Sequence, residues 1–184
     1  FRSIDSRPLA FVDDTVRFIG SYRRKTAGET RVTADIDDNV ALVYAHPGLR
    51  REDFAAMTER RDGVVVAGTG LGHINEKLIP VIRELTGNGV PVVMTTQCIW
   101  GRVNMHVYSA GRRLLLQAGV IPGGDMLPET ALVKLMWTLA NVSPGEVATT
   151  MQRNLAGEIT ERTLYDTFPR QKTYMEDDIN GQRP

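Results

Sequence analysis

The run Thr95-Thr96-Gln97-Cys98 contains the strongest nucleophile of this 184-residue chain, its single cysteine. A thiol attacks carbonyl carbon as the thiolate, which calls for a histidine within hydrogen-bond reach and a third group to orient it. His73 and His106 are the histidines on offer. No orienting group and no oxyanion element accompanies them, so Cys98 reads by default as a small buried side chain. Thr95, Thr96 and Gln97 place hydroxyls and an amide at a strand end. Such groups suit a small polar ligand, and they suit equally the closing of the strand's own backbone; both readings stand.

A second candidate is the alternating-glycine loop Gly68-Thr69-Gly70-Leu71-Gly72-His73. Glycines there let backbone amides approach a ligand at the start of a helix. The dinucleotide fingerprint, however, requires glycine where this chain has His73. A tight strand-to-helix turn with a ligand role is expected instead of a nucleotide site. His73 stands at the carboxyl edge of its strand, where α/β proteins bind ligands.

The three histidines show no His-x-x-x-His spacing, and one cysteine cannot build a multi-cysteine site, so no metal is expected. Asp125 and Glu129 flank Met126-Leu127-Pro128. A carboxylate just before a helix favours the exposed amides, so Asp125 reads as a cap. Lys134 lies five residues beyond Glu129 and does not face it on a helix. Met105, Met126 and Met136 read as packing.

The elements that must position these groups alternate. Val40–Tyr44, Val64–Ala67 and Val90–Thr95 are apolar strand runs. Arg51–Glu59, with Phe54 and Met57 inward, and Glu76–Leu85, with Asn75 as cap and Leu78, Ile79, Ile82 and Leu85 inward, are helices between them. The β-α-β-α-β order predicts an α/β fold: a three-layer α-β-α domain with a mainly parallel sheet, flavodoxin- or Rossmann-like. Helices follow at Ser109–Ala118, at Pro128–Asn141 and from Ser143 to about Leu155. Before the domain, Leu9–Val12 and Thr15–Ile19 predict a small β hairpin, and Ser21–Asp38 a polar linker or exposed crossing segment. Beyond Glu158 the chain is polar, with Tyr165, Phe168 and Tyr174 as surface anchors.

Forty-two per cent hydrophobic and 24% charged residues are ordinary for a globular domain, and a net charge of +0 gives no support for a nucleic-acid surface. A lone cysteine fits a reducing cytoplasm, and no apolar run approaches a membrane span. The chain starts on Phe1, and the expectation is that it is the carboxyl-terminal part of a longer protein.

Thr96-Gln97-Cys98, Gly101-Arg102-Val103-Asn104-Met105, Tyr108, Gly119-Val120-Ile121, Gly123-Gly124-Asp125-Met126, Glu129 and Lys134-Leu135 follow one another in order. This run resembles the carboxyl-terminal domain of the asparaginase family, closest to its cytoplasmic type I branch, and Gly68-Thr69-Gly70 resembles that family's G-x-G turn. The opening residues 1–14 and the tail Asn154–Ile159 are similar to the branch formed by the D subunits of archaeal glutamyl-tRNA(Gln) amidotransferases.

That resemblance implies an enzyme that hydrolyses glutamine to glutamate and ammonia through a threonine nucleophile and an acyl-enzyme. A partner, the amidotransferase's E subunit, would use the ammonia, with ATP and Mg bound at the partner, to convert tRNA-bound glutamate to glutamine. Contact with tRNA would run mainly through that partner. The family's two threonines, aspartate and lysine lie upstream of this chain, so it holds no catalytic residue, and the chain alone is expected to be inactive. Thr95 and Thr96 are not those threonines. Residues 1–38 would be the hairpin and linker from a preceding catalytic domain, 39–157 the carboxyl-terminal α/β domain and 158–184 a tail. The resemblance further implies a homodimer in which His73, with Gly72, contacts substrate in the neighbour's site, and an effector edge at Gln97 and Cys98. The alternatives are a type I L-asparaginase and a non-catalytic doubly wound ligand-binding or interaction domain.

Overall fold

Valine side chains that alternate along a parallel strand need cover on both faces, and Gly63–Gly68 shows this most fully: none of its residues is exposed. The computed structural model describes residues 9–19, 22–25 and 27–163, Leu115 by its backbone alone. Two compact units emerge, Thr30–Thr160 and a smaller one formed by residues up to Glu29 together with those from Glu161.

In the smaller unit β1 (Ala10–Val12) and β2 (Val16–Phe18) pair antiparallel, Ala10 opposite Phe18, as the expected hairpin. Asp13 accepts the Thr15 amide at 2.9 Å and turns the chain. The expected anchors Tyr165, Phe168 and Tyr174 lie outside the described residues.

The larger unit carries β3 (Val40–Tyr44), β4 (Gly63–Gly68), β5 (Val92–Thr96) and β6 (Ile121–Pro122), all parallel, in the order β3-β4-β5-β6. On one face α1 (Arg51–Thr58), α2 (Ile79–Gly87) and α3 (Ser109–Arg112) bury Phe54, Ile82 and, just past α3, Leu114 against Val64, Val66, Val92 and Met94. On the other, α4 (Pro128–Asn141) and α5 (Val147–Gln152) bury Ala131, Leu135 and Met151 against Val65 and Val93. Neighbouring strand residues thus divide between two cores, the period-2 consequence of the pleat. The three-layer α-β-α expectation holds, with a hairpin before it. Residues 33–37 lie along α4: Trp137 Nε1 donates to Thr33 O at 3.0 Å, and Asn141 Nδ2 to Asp35 O at 2.8 Å. Among the described residues no helix is long and apolar enough to cross a membrane.

Some elements differ from expectation for identifiable reasons. β6 was not foreseen; it has only two residues, one of them proline, which an edge strand tolerates. Met57 is 50% exposed rather than inward, because an eight-residue helix beside Phe54 has only a narrow buried stripe. The helix expected over Glu76–Leu85 begins as a 3-10 turn, Glu76–Leu78, with Asn75 accepting the Lys77 amide, and becomes α-helical around Pro80. Past α3 the chain widens into a π turn at Arg113–Gln117, and α5 stops at Gln152, short of Leu155.

Close backbone approach makes Gly123 structural. A Cβ at Gly123 would stand 2.7 Å from the Met94 carbonyl oxygen, whereas one at Gly87 meets nothing within 4 Å. In urea unfolding, Gly123→Ala is expected to destabilise by about 1–3 kcal/mol. Gly87→Ala is expected to be neutral or to stabilise by up to about 1 kcal/mol.

Candidate functional site at the strand ends

A parallel sheet delivers the carboxyl ends of all its strands to one edge. Here that edge collects Tyr44, Gly68, Thr96 and Pro122 and the loops that leave them.

Behind β4 the turn is closed by its own backbone. Thr69 and His73 exchange amide hydrogen bonds at 2.8 and 2.9 Å, and the Gly72 amide also donates to Thr69 O at 3.0 Å. Gly70 and Gly72 adopt φ of 52° and 89°, the left-handed region that glycine enters freely. A Cβ on Gly72 would also press on Val103, 2.9 Å away. The amides of this loop therefore shape a turn that carries His73.

His73 is half-buried, its ring edge-on to Tyr108 with centroids 4.9 Å apart. Nε2 is buried and has no hydrogen-bond partner among the described residues. Gly111 leaves room for the ring: a Cβ there would stand 3.1 Å from Nε2 and 2.7 Å from Met105 O. An unpaired buried nitrogen is costly and looks for a polar partner.

Gln97 joins strand ends. Its Nε2 donates to Ala45 O at 2.6 Å and to Ala67 O at 2.8 Å, and its amide donates to Gly68 O at 2.8 Å. The threonines are spent inside the fold. Thr96 Oγ1 donates to Gly70 O at 2.5 Å and accepts the Cys98 amide, while Thr95 Oγ1 donates to Val66 O at 3.3 Å. Of the two readings left open for this pair, the closing of the strand end is what the geometry contains.

Cys98 is exposed, which corrects the buried reading. The chain leaves the sheet after Thr96 and turns where the Gly101 amide donates to Cys98 O at 2.8 Å, so residues 97–99 face solvent. Among the described residues no hydrogen bond links its sulfur to His73 or His106, so the thiol lacks a base in this arrangement. Nor do any three His, Cys, Asp or Glu side chains among the described residues gather for a metal ion.

Asp125 is not a helix cap. The residue before α4 is Leu127, without a side-chain cap, and buried Asp125 accepts instead from Arg102 Nη2 at 3.0 Å and from the Thr160 amide at 3.1 Å. Glu129, in the first turn of α4, accepts the Tyr44 hydroxyl at 2.7 Å. That bond, with slight burial and the carboxylate's charge, pushes the Tyr44 pKa up. Lys134 was not matched to a partner from sequence; its Nζ lies 2.6 Å from Glu158 Oε1, both side chains nearly enclosed. A signal existed, because Ala131, Lys134, Leu135 and Thr138 share one buried stripe, and a lysine there demands an anion. Arg102, Tyr108 and Gly111 had no such signal, since their partners come from distant loops.

The arrangement is a parallel-sheet α/β domain with a cross-tied strand-end edge and no nucleophile–base pair among the described residues. The glutaminase/asparaginase C-terminal domain model matches residues 39–151, and the chain belongs to that family. The D subunit of glutamyl-tRNA(Gln) amidotransferase from Thermoplasma volcanium is 46% identical over 164 residues, covering 89% of this chain and 40% of that protein. Its counterpart from Methanothermobacter thermautotrophicus is 47% identical over 172 residues, covering 91% and 39%. Among solved structures, the thermostable L-asparaginase from Thermococcus kodakarensis superposes with a TM-score of 0.79 at 40% identity, over 88% of this chain and 50% of that one. The chain thus spans about 40% of the length of these curated relatives.

Burial opposes the charge on Glu158, but Lys134 and the amides of Ala156 and Leu155 outweigh it and hold its pKa at about 2, below the ordinary 4.5. A folded-state value below the unfolded one means that the pair stabilises fully above about pH 4.5, and that this contribution is lost as pH falls toward about 2. Lys134→Met is expected to cost about 3–5 kcal/mol at neutral pH, because it strands a buried carboxylate. Glu158→Gln should also lower stability at pH 7 and flatten its dependence over that acid window, as measured by urea titrations at a series of pH values.

Proposed function

We propose that this chain is the carboxyl-terminal domain of an asparaginase-like glutamine amidohydrolase, the D subunit of an archaeal tRNA-dependent amidotransferase. The observation that carries the reading is the likeness to D subunits across 89–91% of the chain. In this reading residues 1–38 lead in from a preceding catalytic domain, 39–157 form the α/β domain and 158–184 are a tail. The threonine nucleophile sits in the preceding domain; it attacks the glutamine amide carbon, ammonia leaves, and water releases glutamate from the acyl-enzyme. Ammonia then passes to the E subunit, an ATP- and Mg-dependent ligase acting on tRNA-bound glutamate, and tRNA is held mainly by that partner. The whole assembly works in the cytoplasm.

Within a homodimer this domain supplies one wall of the neighbour's site. Gly72 sets the turn, and the half-buried His73 that it carries contacts the substrate. Gln97 and exposed Cys98 form a ligand edge. The L-asparaginase reading retains support from the Thermococcus kodakarensis structure, and substrate preference separates the two.

Ammonia release is to be measured with glutamine and with asparagine, for the whole protein and for residues 1–184 in parallel. Glutamine turnover by the whole protein alone is expected; asparagine preference selects the L-asparaginase, and activity of the short chain overturns the placement of the nucleophile. His73→Ala should lower kcat/KM for glutamine by about tenfold or more with the fold retained, as expected for a lost substrate contact. Unchanged kinetics would remove His73 from the site. Cys98→Ser should leave turnover within about twofold of wild type, since the thiol takes no part in the chemistry.

A further inference from the structure

After α5 the chain runs on as a strap, residues 153–160, tied to the domain by several polar contacts. Lys134 Nζ donates to Arg153 O at 2.5 Å and pairs with Glu158. Glu158 in turn accepts the amides of Leu155 at 3.0 Å and Ala156 at 2.6 Å. Ile159 packs on the core beneath α4 and α5. The strap ends at Thr160, whose amide and hydroxyl both donate to Asp125, while Arg102 Nη2 donates to Thr160 O at 2.7 Å and Oγ1 at 2.6 Å.

Arg102 belongs to the loop 97–105, so the strap grips that loop at its middle. The same loop is tied just beyond the grip. Val103 N donates to Gly124 O at 2.9 Å, beside Asp125, and Asn104 N donates to Leu71 O at 2.9 Å, inside the turn that carries His73. Val103 also fills the space over Gly72, where a Cβ would meet it at 2.9 Å. A continuous set of contacts therefore runs from Thr160 through Arg102 and the loop to the His73 turn.

We propose that the 153–160 strap is a latch on the strand-end edge, with Thr160 and Arg102 as positioning residues that hold loop 97–105, and through it His73, in place. Neither touches substrate; their effect on glutamine turnover rests on the function proposed above, but their effect on the loop does not. When Thr160 lets go, Arg102 loses its bonds to the strap while it keeps Asp125, and the loop loosens locally; the two cores, which include neither of these side chains, stay closed.

The test uses the whole protein with Thr160→Val, which removes the hydroxyl and keeps the backbone bonds, and Thr160→Ser, which restores it. Hydrogen exchange of peptides covering 97–105 and 63–68 is read by mass spectrometry. Thr160→Val is expected to speed 97–105 exchange by roughly five- to hundredfold, the factor set by the two hydrogen bonds of the Thr160 hydroxyl, with 63–68 unchanged. Thr160→Ser should restore the wild-type rate. KM for glutamine should rise more than kcat falls. Equal rates in Thr160→Val and wild type overturn the latch, as does an equal rise in both peptides, which would make Thr160 a global stabiliser. Arg102→Lys gives a second route to the same readout should Thr160→Val fold poorly. A whole protein that never hydrolyses glutamine overturns the functional reading and leaves the exchange test intact.

Discussion

Parallel strand direction is the constraint from which the rest follows. Because β3 to β6 all point the same way, every return to the sheet must cross a face, and helices come to cover both. β4 pays for that arrangement by carrying no polar side chain at all. The polar groups that hydrogen-bond must then gather where the strands stop. Gln97, Thr96 and the Thr69–His73 turn tie those ends together by hydrogen bonds.

Two ionic contacts hold the far end of the α/β unit to this frame. Lys134 and Glu158 meet under α4, and Asp125, Arg102 and Thr160 meet beside β6. Pairs this enclosed stabilise chiefly because leaving either partner alone costs far more than the pair returns. They also define geometry. Neither carboxylate can relax without moving the strap, and the strap touches the loop that shapes the edge.

Much of this was legible in the residues. The valine-rich strands, the helical spacing of Leu78 and Ile82, and Pro128 in the first turn of α4 each act locally, and local signals survive in sequence. The ordered run from Thr96 to Leu135 pointed to the family that the residues 39–151 belong to. What could not be read was contact between loops far apart in sequence. Asp125 stands shortly before α4 in sequence, and only the fold brings Arg102 and Thr160 to it. Cys98 read as buried because a free cysteine most often is, and a single turn at Gly101 sends it to solvent. The short β6 was hidden by its proline, which carries no strand signal of its own.

The central claim is that this domain furnishes a wall and a scaffold for chemistry done by a threonine on another domain. An electrophilic glutamine analogue that traps the nucleophile covalently tests it directly, with the modified residue of the whole protein located by peptide mass spectrometry. The account predicts a label on a threonine outside residues 1–184 and none on Thr95, Thr96 or Cys98. A stoichiometric label on any of those three, with loss of activity, would contradict it.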